Sequence, residues 1–397
     1  MKRLAMRPRV RVGFLGAGNL NTIQHFPAIA ASPDAEFRAV CDLNPKLLDQ
    51  RAKPYRPVYV TTDYDELLAD RKVDLVWIAA RPELQPGLAQ RALRAGKHVF
   101  VEKPMAQTAA GCRELGRLAK RRGVRLFTGF NRRYAPAYAD VRAILSKMKK
   151  PPMITYRMAD DSFGRGSDIF RQPQLVEEAC HAFDILAFLV GTEPVRICTM
   201  SASFNNDLVS IQFANGAVAS LTSSIQSSMA WPKERLEILM DNAALSVDDF
   251  VELQTANVPG WGCMTKRYEG FEYPGWLSGY KKRMQWEGLP AVLAFRRRWL
   301  EIVTEAGVPE WKVSSENDHR RGALVESHKH HLPPVNYMVN KGWREADLAV
   351  LKAVRSGAPA QAAGAADAAR ASAMAEAAAR SSRTGRVITL DPRTWRV

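Results

Sequence analysis

The sequence predicts an α/β protein: a Rossmann N-terminal domain, followed by an α+β C-terminal domain with a mainly antiparallel open sheet. Three observations predict it. Apolar runs alternate with helical stretches through the first third of the chain, a glycine-rich turn follows the first run at once, and beyond Pro152 short alternating segments take over.

Val10 to Leu15 is the first expected strand, ending at Gly16-Ala17-Gly18, with a helical stretch through Ala31 behind it. A second strand, Phe37 to Cys41, a helix near Pro45 to Ala52 and a third strand, Val58 to Val60, come next. After Asp63 to Ala69, the run Asp74 to Ala80 is apolar almost throughout, as a parallel strand buried on both faces is. Helix Gln85 to Ala95, strand His98 to Val101, helix Ala109 to Arg122 and strand Val124 to Thr128 complete a doubly wound sheet.

In the second region strands are expected at Ile154 to Met158, Arg196 to Ala202, Leu208 to Phe213, Ala217 to Ser223, Arg235 to Met240 and Ala244 to Asp248, with one conspicuous helix, Val176 to Val190. Asn215-Gly216 lies between two alternating runs and marks a hairpin, because both residues tolerate positive φ. From Gly260 to Asn340 the chain is rich in Trp, Tyr and Arg; Trp261, Tyr268, Tyr273, Trp276, Tyr280 and Trp286 suit a sugar-stacking wall or a dimer surface. Helices are expected at Lys341 to Leu351 and, from its Ala, Glu and Arg content, at Ala360 to Arg380; Gly385 then leads into a last strand, Arg386 to Leu390. The expected domains are 1–135 for the dinucleotide, 136–345 for the substrate with an insert near 260–340, and 346–397 packing back on the first two.

Among 397 residues, 57 are Lys or Arg and 41 are Asp or Glu, giving a net charge of +16. The basic residues are spread along the chain without a helix-turn-helix, zinc-finger or RNP pattern, so a nucleic-acid partner is not expected. No apolar run approaches ~18 residues, and Met1 to Arg11 is basic without a following apolar region, so neither a membrane span nor a signal peptide is read; the expected location is the cytoplasm. Cys41, Cys112, Cys180, Cys198 and Cys263 form no C-x-x-C pair and read as reduced. His328, His330 and His331 lack the spacing of a zinc site, and no metal is expected.

Gly16-x-Gly18 between a strand and a helix allows a tight turn and a close approach of backbone N–H groups to a pyrophosphate, with Asn19 and Leu20 opening the helix. The third glycine of that fingerprint is Asn21. Asp42, at the end of the second strand, stands where a ribose-binding carboxylate belongs, with a turn cap at Asn44-Pro45 as the lesser alternative. A carboxylate there favours NAD; NADP remains the alternative, with Lys46 and Arg51 nearby. In the helix Val176 to Val190, Glu177 and His181 are four apart and share a face, with Asp184 one turn further and Glu178 within reach, so that face can present an acid/base cluster.

Gly16-Ala17-Gly18, Asp42, Asp74-Leu75-Val76, Ala95-Gly96-Lys97-His98-Val99, Glu102-Lys103-Pro104 and Gly129-Phe130-Asn131-Arg132-Arg133-Tyr134-x-Pro136, in this order, resemble the glucose-fructose oxidoreductase, inositol dehydrogenase and MocA (Gfo/Idh/MocA) family. The resemblance runs through about residue 250 and returns at Lys341-Gly342-Trp343 and Ser382-Arg383-Thr384-Gly385. Glu178-x-Cys180-His181-x-x-Asp184, Pro232-Lys233-Glu234-Arg235 and Asp248-Asp249-Phe250 look most like its polysaccharide and nucleotide-sugar branch. The resemblance implies an NAD(P)-dependent oxidoreductase acting on a hydroxyl of a sugar, cyclitol or nucleotide sugar, assembled as a homo-oligomer, dimer or tetramer. It implies that Lys103 binds the reacting oxygen near the nicotinamide, that His181 is the general acid/base, and that an acidic residue four before it assists. That position, usually Asp, is Glu177 here, with Glu178 beside it. Glu102, Lys103 and Asn131 fall on the cofactor side, and Asn131 and Arg132 either meet cofactor or substrate or cap the crossover. Two departures stand out: Gln174-Leu175 replaces a glycine pair, and Gln85 takes the place of a cofactor-side histidine. Glycoside hydrolysis with retained NAD and a non-enzymatic NAD sensor are the alternative readings.

Overall fold

The computed structural model describes residues 8–161, 173–228, 230–270, 280–305, 339–357 and 362–397. The chain divides into two compact units, one of residues 1–131, 342–373 and 392–397, the other of residues 132–341 and 374–391. Among the described residues no helix is long and apolar enough to cross a membrane.

The first unit begins with β1 (Val10–Leu15), a π-helical turn Asn21–His25 and α1 (Phe26–Ala30). It continues with β2 (Ala35–Cys41), α2 (Pro45–Leu47), β3 (Tyr59–Thr61), α3 (Tyr64–Ala69), β4 (Leu75–Ile78), α4 (Gln85–Arg94), β5 (His98–Val101), α5 (Ala109–Arg122) and β6 (Leu126–Thr128). The starts of α3 and α5 are capped by side chains: Asp63 accepts from Asp65 N, and Thr108 from Gly111 N. The six strands form one parallel sheet in the order β3-β2-β1-β4-β5-β6. Its register sets Phe14 beside Trp77, Trp77 beside Phe100 and Phe100 beside Phe127, a row of large buried rings running across the sheet. Trp77 and Phe100 stack at 3.9 Å. Burial on both faces explains why these strands are legible as apolar runs.

The second unit opens with α6 (Pro136–Leu145), β7 (Met153–Asp161), α7 (Gln174–Glu177) and α8 (Cys180–Val190). Seven strands follow: β8 (Pro194–Ser203), β9 (Asn206–Phe213), β10 (Val218–Ser227), β11 (Glu234–Met240), β12 (Ala243–Asp248), β13 (Glu252–Val258) and β14 (Gly262–Arg267). Behind them come α9 (Tyr280–Glu287) and α10 (Leu289–Glu305). The Asn215-Gly216 turn joins β9 to its antiparallel partner β10, with Gly216 at φ +90°. α11 (Trp343–Ser356) belongs to the first unit; α12 (Ala365–Thr384) starts there, and its later turns, with β15 (Ile388–Thr389), belong to the second. In the first unit Val350, Leu351 and Ala353 of α11 join the core of β1 and β2. In the second, β15 pairs with the edge strand β8 and completes a nine-stranded sheet, antiparallel except where β7 runs parallel to β10.

Three expectations are corrected. The helix Val176 to Val190 is two helices, broken at Glu178 and Ala179, where Glu178 leaves helical geometry at φ −122°. β13 and β14 were not expected as strands: β14 lies at the sheet edge, almost every residue of it is exposed, and no apolar alternation marks it. The Ala-rich helix starts at Ala365 rather than Ala360. Tyr273, Trp276, His328, His330 and His331 lie outside the described residues.

Candidate functional site

Open parallel sheets bind ligands beyond the carboxyl ends of their strands, at the point where strand order reverses, here between β1 and β4. The turn after β1 is built for a tight approach. Gly16 has φ +99°, and a Cβ there would stand 2.5 Å from the Ala79 carbonyl oxygen, so only glycine fits. Gly18, by contrast, faces open space: an added Cβ would meet no protein atom within 4 Å. The protein's own packing therefore does not require glycine at this position. Asn21, where the fingerprint carries its third glycine, ties the turn together by donating from Nδ2 to the Gly16 carbonyl at 2.6 Å.

Asp42 follows β2 and serves the same turn. Its Oδ2 accepts the Ala17 N–H at 2.7 Å, and its Oδ1 accepts the Asn44 N–H at 2.8 Å. The turn-capping role is therefore present, and it fixes the carboxylate at the glycine turn. Arg51 reaches the turn as well, donating to Asn19 Oδ1 at 2.9 Å and to the Ala17 carbonyl at 3.3 Å. Asn19 is exposed and Leu20 half-buried at the head of the helical segment.

The Glu102-Lys103-Pro104 turn leaves β5. The Gln85 side chain, buried at the start of α4, donates to the Glu102 carbonyl at 2.8 Å and to the Pro104 carbonyl at 2.9 Å. Gln85 thus anchors this turn from below, a role that its amide, with two N–H donors, performs. Glu102 is buried and accepts the Lys103 N–H at 3.0 Å on Oε2; the Lys103 side chain is half-buried. Gly129, after β6, packs so closely on the Glu102 carboxylate that a Cβ would stand 2.5 Å away. Asn131, in the same unit, is buried.

In the second unit His181 is buried in the first turn of α8, and its N–H donates to the Glu178 carbonyl at 3.0 Å. The break in the helix removes the premise that residues four apart share a stripe, so Glu177 sits half-buried on a different helix from His181. The Glu178 carboxylate is engaged by Lys233 at 2.9 Å and by Arg132 at 3.5 Å. Asp184 is buried and held by the Arg133 guanidinium, whose Nε donates at 2.7 Å and whose Nη2 donates to the other oxygen. The structure therefore places Asp184 in an ion pair with Arg133, against the expectation of an acid/base cluster.

Arg132 forms a two-pronged pair with Glu234 at 2.9 and 2.6 Å, both side chains buried. Tyr156 donates to the same carboxylate at 2.6 Å, and Lys341 lies 3.4 Å from it. Burial by itself pushes the Glu234 carboxyl up, but Arg132 and Lys341 more than reverse this and hold it at about 2. The same burial pushes the Lys341 ammonium down to about 8. Among the described residues no group of three or more potential ligands is arranged to hold a metal ion.

The sequence reading passed over His25 and Asp347, which meet at 3.0 Å in the first unit. His25 follows Asn21-Thr22-Ile23-Gln24, so no local pattern sets it apart, and its burial in the structure is what marks it.

Residues 10–130 match the model of the oxidoreductase family with an NAD-binding Rossmann fold. An inositol 2-dehydrogenase of Rhizobium meliloti is 28% identical over 259 residues, 60% of this chain and 76% of its own. A dTDP-3,4-didehydro-2,6-dideoxy-alpha-D-glucose 3-reductase of Streptomyces violaceoruber is 34% identical over 164 residues, 38% of this chain and 46% of its own. The fold is shared with the WlbA dehydrogenase of Bordetella pertussis, solved in complex with NADH and UDP-GlcNAcA, at a TM-score of 0.66 and 18% identity, covering 97% of this chain and 98% of that one. Glycoside hydrolysis and non-enzymatic sensing find no support in these relatives.

Proposed function

Since residues 10–130 belong to the NAD-binding oxidoreductase family Gfo/Idh/MocA, we propose that the chain is an NAD-dependent oxidoreductase acting on a secondary hydroxyl of a sugar, cyclitol or nucleotide sugar. The observation that carries this reading is the placement of the glycine turn, Asp42 and Lys103 at the carboxyl ends of β1, β2 and β5 of one parallel sheet. Two relatives of this chain are named for an inositol and for a nucleotide sugar as substrate, which supports this substrate class.

Bound NAD supplies the hydride acceptor, or, reduced, the donor. The backbone from Gly16 to Leu20 takes the pyrophosphate, with Gly18 leaving the room, and Asp42 takes the adenosine ribose diol. NAD is favoured over NADP because Arg51 is engaged by Asn19 and the Ala17 carbonyl, while Asp42 repels a 2′-phosphate. Glu102 and Asn131 line the nicotinamide half. The Lys103 ammonium binds the reacting oxygen and stabilises its alkoxide character, and His181 takes the hydroxyl proton as the hydride leaves the carbon. The residue four before His181, Glu177, is the assisting acid that the family resemblance implies, with Glu178, held by Lys233 and Arg132, as the alternative; Asp184 acts as a positioning residue through Arg133.

A homo-oligomer is supported by an apolar depression on the open sheet of the second unit, lined by Met153, Leu239 and Val387, each more than half exposed. A cytoplasmic location is supported by Cys41, Cys112, Cys180, Cys198 and Cys263, none of which is joined in a disulfide among the described residues.

The test is NADH formation, followed by absorbance, with myo-inositol and a panel of UDP-sugars, beside a mass spectrum of the natively purified protein. Turnover on one of these is expected, and His181→Ala and Lys103→Ala should each lose about 10²–10⁴-fold in rate while NAD still binds. Normal activity in His181→Ala on the substrate found would overturn the assignment.

A further inference from the structure

The turn carrying Lys103 rests on a buried chain of charge. His25, at the end of the π-helical turn, has its Nε2 3.1 Å from Glu102 Oε1 and its Nδ1 3.0 Å from both carboxylate oxygens of Asp347 in α11. The three side chains are at most 6% exposed. The ring lies over the aromatic row, 5.1 Å from Trp77 and 5.5 Å from Phe100. With a carboxylate at each nitrogen, both nitrogens act as donors, which is the imidazolium form. Glu102 in turn accepts the Lys103 N–H on its other oxygen.

We propose that His25 and Asp347 are positioning residues for the nicotinamide half of the dinucleotide site: the imidazolium draws the Glu102 carboxylate inward and so fixes the Glu102-Lys103-Pro104 turn. The inference rests on the dinucleotide reading and deepens it. In a sheet ordered β3-β2-β1-β4-β5-β6 the adenosine half belongs over β1 and β2 and the nicotinamide half over β4 and β5, where this turn lies. Glu102 is half of a pair that cannot be broken without leaving a charge buried, so a change at Asp347 reaches Lys103 through His25.

The proton on His25 is the variable part. Facing the ring are Glu102 from the β5 turn and Asp347 from α11, with Glu345 acting on Asp347. Burial pushes the imidazole down, yet Asp347 and Glu102 outweigh it and raise it to about 9; Asp347 is itself raised by burial to about 6. Above that range two buried carboxylates face a neutral ring, and the turn loses its clamp.

Calorimetric titration with two probes, NAD and ADP-ribose, separates the halves of the site. Asp347→Asn, nearly isosteric, and His25→Gln should weaken NAD by about tenfold, the hold of one charge-assisted hydrogen bond, and leave ADP-ribose within about twofold. Wild-type NAD affinity should fall above about pH 9 while ADP-ribose affinity does not, and in Asp347→Asn the fall should begin at lower pH, because one of the two carboxylates raising His25 is gone. The wild-type pH series needs no variant to fold. Equal loss of both probes in the variants marks a merely structural role and overturns the proposal, as does NAD binding that is unchanged in the variants and flat with pH. Wild-type protein binding neither probe overturns the dinucleotide reading and this proposal with it.

Discussion

Replacing Glu234 by Gln is expected to cost about 3–5 kcal/mol of stability at neutral pH, because it strands a buried guanidinium. Arg132 is 2% exposed at its side chain and Glu234 not at all, and the pair is joined by two bonds of 2.9 and 2.6 Å. A glutamine keeps one acceptor and turns an N–H toward Arg132, leaving Glu178 at 3.5 Å as the nearer compensation. An independent figure comes from the carboxyl itself. Burial raises it, while Arg132, Lys341 and Lys233 lower it further, from 4.5 to about 2, which corresponds to about 3 kcal/mol of preference for the charged, folded form. The sign follows: a depressed carboxyl stabilises the fold above its unfolded value of 4.5, and that contribution drains away as pH falls toward 2. Urea unfolding followed by tryptophan fluorescence should show wild type leading Glu234→Gln by the full margin from pH 7 to 5 and by progressively less below 4.5. A variant within about 1 kcal/mol of wild type at pH 7, or a gap that stays constant into acid, would refute the reasoning.

Asp42→Ala should weaken NAD by about 1.5–3 kcal/mol, measured by calorimetry; an unchanged dissociation constant, or a wild type that prefers NADP, contradicts the ribose assignment. Gly16→Ala should unfold at least about 2 kcal/mol more easily in urea, since φ +99° and a Cβ 2.5 Å from the Ala79 carbonyl leave the side chain no place; a stable variant would mean that the turn is laxer than its geometry. A chain ending at Gly357 loses α12, with Ala369, Met374, Ala375 and Ala378 buried, and β15, paired to β8. It should be insoluble or melt at least about 4 °C lower, and an unchanged melting temperature counts against the packing described.

The first sheet is legible in the sequence because its physics is local. A strand buried on both faces must be apolar at every position, as Leu75 to Ile78 is, and a tight turn must place Gly16 beside the strand it ends. The break between α7 and α8 is not legible. Leu175, Ala179, Cys180, Ala182 and Phe183 are all buried, so the apolar pattern runs through it, and no glycine or proline marks it. At the break the Glu178 carboxylate is held by Lys233 and Arg132, which come from distant parts of the chain and leave no mark in the local sequence.

The same distinction sorts the site. Spacing along one helix finds residues that could cooperate, and it selected Glu177, Glu178, His181 and Asp184 together. A buried carboxylate, however, must be neutralised, and the cation that does so can come from any part of the chain. Arg133 lies 51 residues from Asp184, Lys233 lies 55 from Glu178, and His25 lies 322 from Asp347. Sequence order carries no trace of such pairs, whereas the backbone contacts of the glycine turn with Asp42 follow from two adjacent strand ends. Candidate acids read from spacing alone are therefore overcounted: each that folding assigns to a guanidinium or ammonium leaves the list of proton carriers and joins the scaffold. By that reasoning Asp184→Asn should act through Arg133, changing stability more than the proton-transfer step, whereas His181→Ala should strike the proton-transfer step itself.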